Sequence, residues 1–217
     1  MNLSRLNLDT RSAEARRWLA SPQVMHARIL RQIGLEDPGR VLWRADVVDQ
    51  GIVELYVLTP EPWDGRSMAR EGGGGESSWR SAPYDVLLDR LSPGQRWVFR
   101  LTANPTRSIA GARGSRGRVV PHVTASQQEE WLRERARKIG IDIGQEAGQP
   151  TYRLVDRRRW QFRRNTEGIG ATVSLSTATF EGELRVTDPD LLRTAMTEGI
   201  GRGRAYGCGL LTLAPTS

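Results

Sequence analysis

The chain of 217 residues holds one cysteine, Cys208, and two histidines, His26 and His122. A single thiol excludes an internal disulfide and fits a reducing cytoplasm. Without carboxylates these three side chains fall short of a zinc site. Neither HExxH nor CxxC spacing occurs, so no metal cofactor is expected. Lysine is almost missing, with Lys138 alone, and arginine carries the positive charge. Apolar runs long enough to span a bilayer are absent, and no secretory signal opens the chain. No membrane partner is therefore expected.

What the chain does have is net charge +7 and a pI of about 10.6. That excess favours a polyanionic partner, most simply nucleic acid. The start, "NLSRLNL", reads as a strand. Asp9 or Thr10 caps a first helix, Ser12 to Leu19, and Ser21-Pro22 starts a second. Met25, Ile29 and Ile33 share one face of it. "RVLWRADVVD" and "IVELYVL" form a hairpin turning at Gln50-Gly51. The stretch "PEPWDGRSMAREGGGGESSWRSAP" breaks the pattern. It reads as an irregular, mobile loop, loosest at Gly72 to Gly75. "YDVLLDRL" reads as a short helix.

A second unit begins with the strand "QRWVFRLTA", followed by a long basic loop. Ser126 and Glu129 form a capping box for the next helix, with Leu132, Ala136 and Ile139 facing the core. Glu129 and Arg133 make an attractive i,i+4 pair. "TYRLVDRRRWQFRRN" and "ATVSLSTATFEGELRV" are strands around a turn at Asn165 to Gly168. Asp188 caps a helix with Pro189 at its first position, and "GLLTLAP" is a last strand. Each unit reads strand–helix–strand–strand–helix–strand, the first less regularly. The expectation is an α+β protein of two tandem ferredoxin-like, RRM-like domains, residues 1–92 and 93–217. Such a sheet also serves as a platform for single-stranded RNA.

"GIGRGRAYGCGLLTL" near the chain's end raises the question of a nucleotide cofactor. A dinucleotide loop needs G-x-G-x-x-G between a strand and a helix. Here a helix comes first and a strand follows. Arg204, Tyr206 and Thr212 in turn occupy the final position of the three possible frames. No nucleotide cofactor is expected. Two readings remain: a connection needing tight turns, or a cleft for an RNA backbone. In the second, Gly199, Gly201, Gly203 and Gly207 allow close approach and Arg202 and Arg204 flank it.

"GIGRGRAYGCGLLTLAP" is similar to the C-terminal glycine loop of the repeat-associated RNA-binding proteins of CRISPR systems. "MNLSRLNL", "PGQRWVFRLTANPTR" and "TFEGELRVTDP" resemble one branch, the CasE family of type I-E Cascade. The resemblance spans nearly the whole chain. It implies tandem ferredoxin-like domains and metal-independent cleavage of CRISPR precursor RNA at the 3′ foot of each repeat stem-loop. It implies retention of the product as a subunit beside other Cascade proteins. A non-catalytic RNA-binding scaffold is the alternative.

The CasE resemblance points to His26, in "SPQVMHARIL", as the catalytic residue. On local pattern alone His26 falls on the apolar arc with Met25, Ile29, Leu30 and Ile33, as a core or boundary histidine does. An imidazole suits attack of a 2′-OH on its neighbouring phosphate, giving a 2′,3′-cyclic phosphate and a 5′-OH. Gln23 stands where well-known family members carry tyrosine. Arg31, with Arg28, is a candidate to offset charge on the phosphorane oxygens. His122 reads as structural.

Two basic clusters are candidates to hold the RNA. "YRLVDRRRWQFRRN" puts Arg157, Arg159 and Arg163 on one strand face and Arg158, Trp160, Phe162 and Arg164 on the other. The bland reading is an arginine-guarded edge strand; the functional one is a hairpin gripping the repeat stem through phosphates and shape. The loop with Arg107, Arg113, Arg116 and Arg118 is the second cluster.

Overall fold

The structure, a computed structural model, describes residues 1–111, 117–146, 149–163 and 172–216. They form two units. The first holds Met1–Arg90 together with Arg204–Leu210; the second holds Leu91–Gly203 and Leu211–Ser217. No described helix is long and apolar enough to cross a membrane.

In the first unit β1 (Asn2–Asp9) leads to α1 (Ala13–Leu19) and α2 (Pro22–Ile33), then to β2 (Leu42–Asp49) and β3 (Ile52–Thr59). Ser12, not Asp9 or Thr10, caps α1, its Oγ accepting from Ala15 N at 3.4 Å. The Asp9 carboxylate is already taken, accepting from the Arg11 backbone at 2.8 Å and from its guanidinium. Pro22 opens α2 as expected, and Gly34 ends it with φ 70. Met25 and Ile29 of α2, Trp18 of α1 and Leu6 and Leu8 of β1 are buried together with Leu55 of β3. Each fully buried side chain of this size contributes about 1.5–3 kcal/mol.

The stretch read as an irregular, mobile loop is ordered. It contains α3 (Arg66–Glu71), a single 3-10 turn and the edge strand β4 (Arg80–Pro83), followed by the short helix α4 (Asp85–Leu88). The antiparallel sheet runs β2-β3-β1-β4. This is the ferredoxin-like order, completed by the elements whose Gly, Ser and Pro content concealed them. The glycines lie against β1. Gly72 accepts from Asp9 N at 2.8 Å, and Gly74 donates to Ala69 O at 3.0 Å. A Cβ on Gly74 would collide with the Asn7 carbonyl. Glycine serves close packing here.

The second unit starts with β5 (Arg96–Ala103), then a hairpin of β6 (Thr106–Ile109) and β7 (Arg118–Pro121), where a basic loop was expected. α5 (Ala125–Lys138) follows. Its capping box is Thr124 with Gln127, two residues earlier than Ser126 and Glu129. Arg133 pairs with Glu130 at 2.8 Å rather than with Glu129. Leu132, Ala136 and Ile139 are buried, as expected. The short strands β8 (Ile141–Asp142), β9 (Gln145–Glu146) and β10 (Gln149–Pro150) lead to β11 (Tyr152–Arg163) and β12 (Thr172–Val186). Asp188 caps α6 (Pro189–Glu198), accepting from Asp190 N and Leu191 N at 3.0 Å. β13 (Leu211–Pro215) completes the order β11-β12-β5-β13. This sheet repeats the topology of the first. The turn placed at Asn165 to Gly168 lies outside the described residues.

Candidate active site

His26 sits in α2, half-buried between the buried Met25 and the exposed Ala27. Its Nδ1 is sealed from solvent and has no hydrogen-bond partner among the described residues. Burial pushes the imidazole pKa below 6.5, because the imidazolium loses hydration that nothing nearby replaces. Burial thus favours the neutral ring. Gln23, one turn earlier on the same side of the helix, is also half-buried.

Arg28 lies about 160° around the helix from His26. Its guanidinium bonds Gln32 Oε1 and Glu71 Oε2, each at 2.9 Å, and covers the Trp18 ring at 5.1 Å. Its side chain is 12% exposed. That cation joins α2 to α1 and α3, and the structure does not bring it to His26. Arg31 is exposed in the last turn of α2.

The 3-10 turn Arg204–Tyr206 packs against α2. It opens a strap, Arg204–Leu210, that belongs to the first unit although the chain on either side of it belongs to the second. Gly199, Gly201, Gly203, Gly207 and Gly209 all have positive φ, from 79 to 93. These are values that side chains with a Cβ rarely adopt. At Gly207 space is also short, since a Cβ would stand 2.8 Å from the Trp43 ring. Arg204 is half-buried in the strap. Gly199 caps α6, and the exposed Arg202 forms a lone β-bridge with Asn104.

In the second unit β12 pairs with β5 only from Ala178 to Arg185, but with β11 out to Thr172. Residues Arg158–Arg163 and Thr172–Thr177 thus form a two-stranded ribbon beyond the sheet. Pairing puts Arg157, Arg159 and Arg163 on the face of Ala178, Ser176 and Thr172, and puts Arg158, Trp160 and Phe162 on the other. Arg157 is anchored, its Nε donating to Gln128 Oε1 at 2.8 Å and its Nη2 to the Val123 carbonyl. Arg158 bonds Asp156 at 2.7 Å, while Arg159 and Arg163 are exposed. Arg107 and Arg118 are exposed on one face of the β6–β7 hairpin, where Arg107 opposes Val120 and Ile109 opposes Arg118. Arg113, Arg116 and Arg164 lie outside the described residues.

The sequence model of a family described as CRISPR associated protein matches residues 1–215. The chain belongs to this family. Among its relatives, the CRISPR-associated endoribonuclease Cse3 of Thermus thermophilus is 30% identical, covering 99% of this chain and 100% of its own. The CRISPR system Cascade subunit CasE of Escherichia coli is 32% identical over 58% of this chain and 61% of its own. The structure of Thermus thermophilus Cse3 bound to an RNA representing a pre-cleavage complex superposes with a TM-score of 0.77. It is 29% identical and covers 99% of this chain and 98% of that one. The resemblance to CasE read from the glycine loop is thus borne out, as are the tandem ferredoxin-like domains.

Two groups in this CRISPR associated protein escaped the sequence reading. Gln128 is 1% exposed and bonds the His122 carbonyl at 3.0 Å and Ser176 Oγ at 3.4 Å, besides Arg157. Nothing in its helical position signals this, because its partners come from three other segments. Arg44 and Asp46 form a buried ion pair on β2, 2% and 5% exposed. Their signal was present: two opposite charges two apart in an apolar strand share a face.

Proposed function

We propose that this chain is an endoribonuclease that cuts CRISPR precursor RNA at the 3′ base of each repeat stem-loop and keeps the product as a Cascade subunit. Full-length similarity to an endoribonuclease supports the reaction class. The observation that carries the site is His26: a half-buried imidazole whose Nδ1 is sealed from solvent and whose burial favours the neutral form. A neutral imidazole is ready to act as a base at pH 7.

The 2′ oxygen beside the scissile phosphate gives its proton to His26 Nε2 and attacks phosphorus. The bond from phosphorus to the 5′ oxygen breaks in line, and that oxygen takes up a proton from water. The products are a 2′,3′-cyclic phosphate and a 5′-OH. No metal is required by this scheme. Arg31 is the cation of α2 left to meet phosphorane charge. Arg159 and Arg163 of the ribbon, with Arg107 and Arg118 of the β6–β7 hairpin, hold the RNA through its phosphates.

The test is incubation of the protein with matching repeat RNA, with and without EDTA, and with a 2′-deoxy nucleotide at the scissile position. Cutting is expected to persist in EDTA and to stop with the 2′-deoxy RNA. Loss of cutting on chelation overturns the metal-free scheme. Continued cutting of the 2′-deoxy RNA overturns 2′-OH attack. Binding without any cutting is the outcome that a scaffold predicts.

A further inference from the structure

β2 is an edge strand of the first sheet, and consecutive residues on it point to opposite faces. Trp43 stands on the helix-covered face, opposite Val57, and Arg44 on the other, opposite Tyr56. Trp43 Nε1 donates to the Ala205 carbonyl at 3.3 Å. Arg44 Nη1 donates to the Leu210 carbonyl at 3.0 Å. The strap is therefore pinned at both ends, once from each face, and passes around the free edge of β2. Ala205 lies in the 3-10 turn that packs against α2, the helix of His26.

The cation that makes the second pin is held rigidly. Arg44 Nε meets both Asp46 oxygens, at 3.0 and 2.9 Å, and Nη2 meets Oδ2 at 2.8 Å. The Tyr56 ring lies 5.3 Å below the guanidinium, and the Tyr56 hydroxyl bonds Glu54 at 2.7 Å. Burying an ion pair rarely stabilises a fold more than apolar residues of the same size would. What an apolar pair cannot do is donate to a carbonyl at a fixed point in space.

We propose that Trp43, Arg44 and Asp46 are positioning residues for RNA cleavage, holding the strap's backbone in register with the His26 helix. The proposal rests on His26 as the base. The strap reaches the helix through Arg204–Tyr206, so a slip of the strap shifts the turn packed against α2. A misplacement of about 1 Å near the chemistry costs up to about 100-fold in rate.

Two variants test it in the full-length protein. Trp43→Phe keeps an aromatic side chain but removes the donor to Ala205 and trims the indole beside Gly207. The double change Arg44→Met with Asp46→Leu removes both buried charges at once, so no lone charge is left to unfold the protein. Single-turnover cleavage at saturating protein, RNA affinity and melting temperature are measured for each, with His26→Ala alongside. The expected result is a fall in cleavage rate of about tenfold for Trp43→Phe and more for the double variant, with RNA affinity within about twofold of the parent. Trimming the buried indole lowers the melting temperature of Trp43→Phe somewhat, so rates are read well below it. A purely structural role would leave the rate at that temperature untouched, which overturns the proposal. Parental rates in both variants while His26→Ala is inactive also overturn it. Parental cleavage by His26→Ala itself marks failure of the base assignment instead.

Discussion

The two units share one topology and use their charges in opposite ways. In the first, two arginines, one on the His26 helix and one on the edge strand β2, are drawn inward: Arg28 spans three helices and Arg44 is paired with Asp46. In the second, arginines lie outward along a ribbon that outgrows its sheet. The face of the second sheet away from its helices is tied up in its own ion pairs, Arg100 and Arg153 with Glu181 and Arg96 with Glu183. Its central strands present Val98, Arg100, Thr102, Thr179 and Glu181 there, with no aromatic ring. The central stacking rings that this fold often offers to single-stranded RNA are missing from those two strands; Trp160 and Phe162 of β11 lie on the same face, out on the ribbon. On the proposed function, a common fold would support cutting in one unit and gripping in the other, through the side chains each presents.

The largest expected effect falls on the imidazole. His26→Ala should slow single-turnover cleavage by about 10²–10⁴-fold, the usual worth of a positioned base. Cleavage near the parental rate would move the chemistry out of α2. Next comes the glycine run of the first unit. Gly74→Ala forces a Cβ into the Asn7 carbonyl, and overpacking of this kind costs about 1–3 kcal/mol. Thermal melting should show a drop of several degrees, whereas a solvent loop would tolerate the change.

Smaller effects belong to the ribbon. Removing Arg159 or Arg163 should weaken RNA binding and lower the slope of log affinity against log salt by about 0.7–0.9 for each phosphate left without its cation. An unchanged slope would place that arginine away from the RNA. The smallest effect is the pH profile. Burial depresses the His26 pKa below 6.5, so a base role predicts a rate that rises with pH through the acid range and levels off above that pKa. A rate that falls as pH rises through that same acid range instead would make His26 the acid.

Much of the second unit was legible because its signals are local. Asp188 with Pro189 marks α6, and the alternation of Arg157 to Arg163 marks β11. The cap of α5 was misplaced because Thr124 with Gln127 and Ser126 with Glu129 have the same spacing, and only the fold decides between them. α3 and β4 were hidden because Gly72 to Gly75 look like a loop until β1 lies beside them. His26 was found through family likeness, since its own neighbourhood reads as a core face. The bond from Arg44 to the strap could not be read at all: its acceptor, Leu210, stands 166 residues away.

The division between the units is tested most directly by measuring rate and affinity together on two proteins, His26→Ala and the Arg159→Ala/Arg163→Ala double variant, with the same repeat RNA. The first should bind as the parent does and leave the RNA intact. The second should bind weakly yet cut at the parental rate once protein is saturating. Loss of binding in the first, or loss of cutting at saturation in the second, would contradict the separation of cutting from gripping.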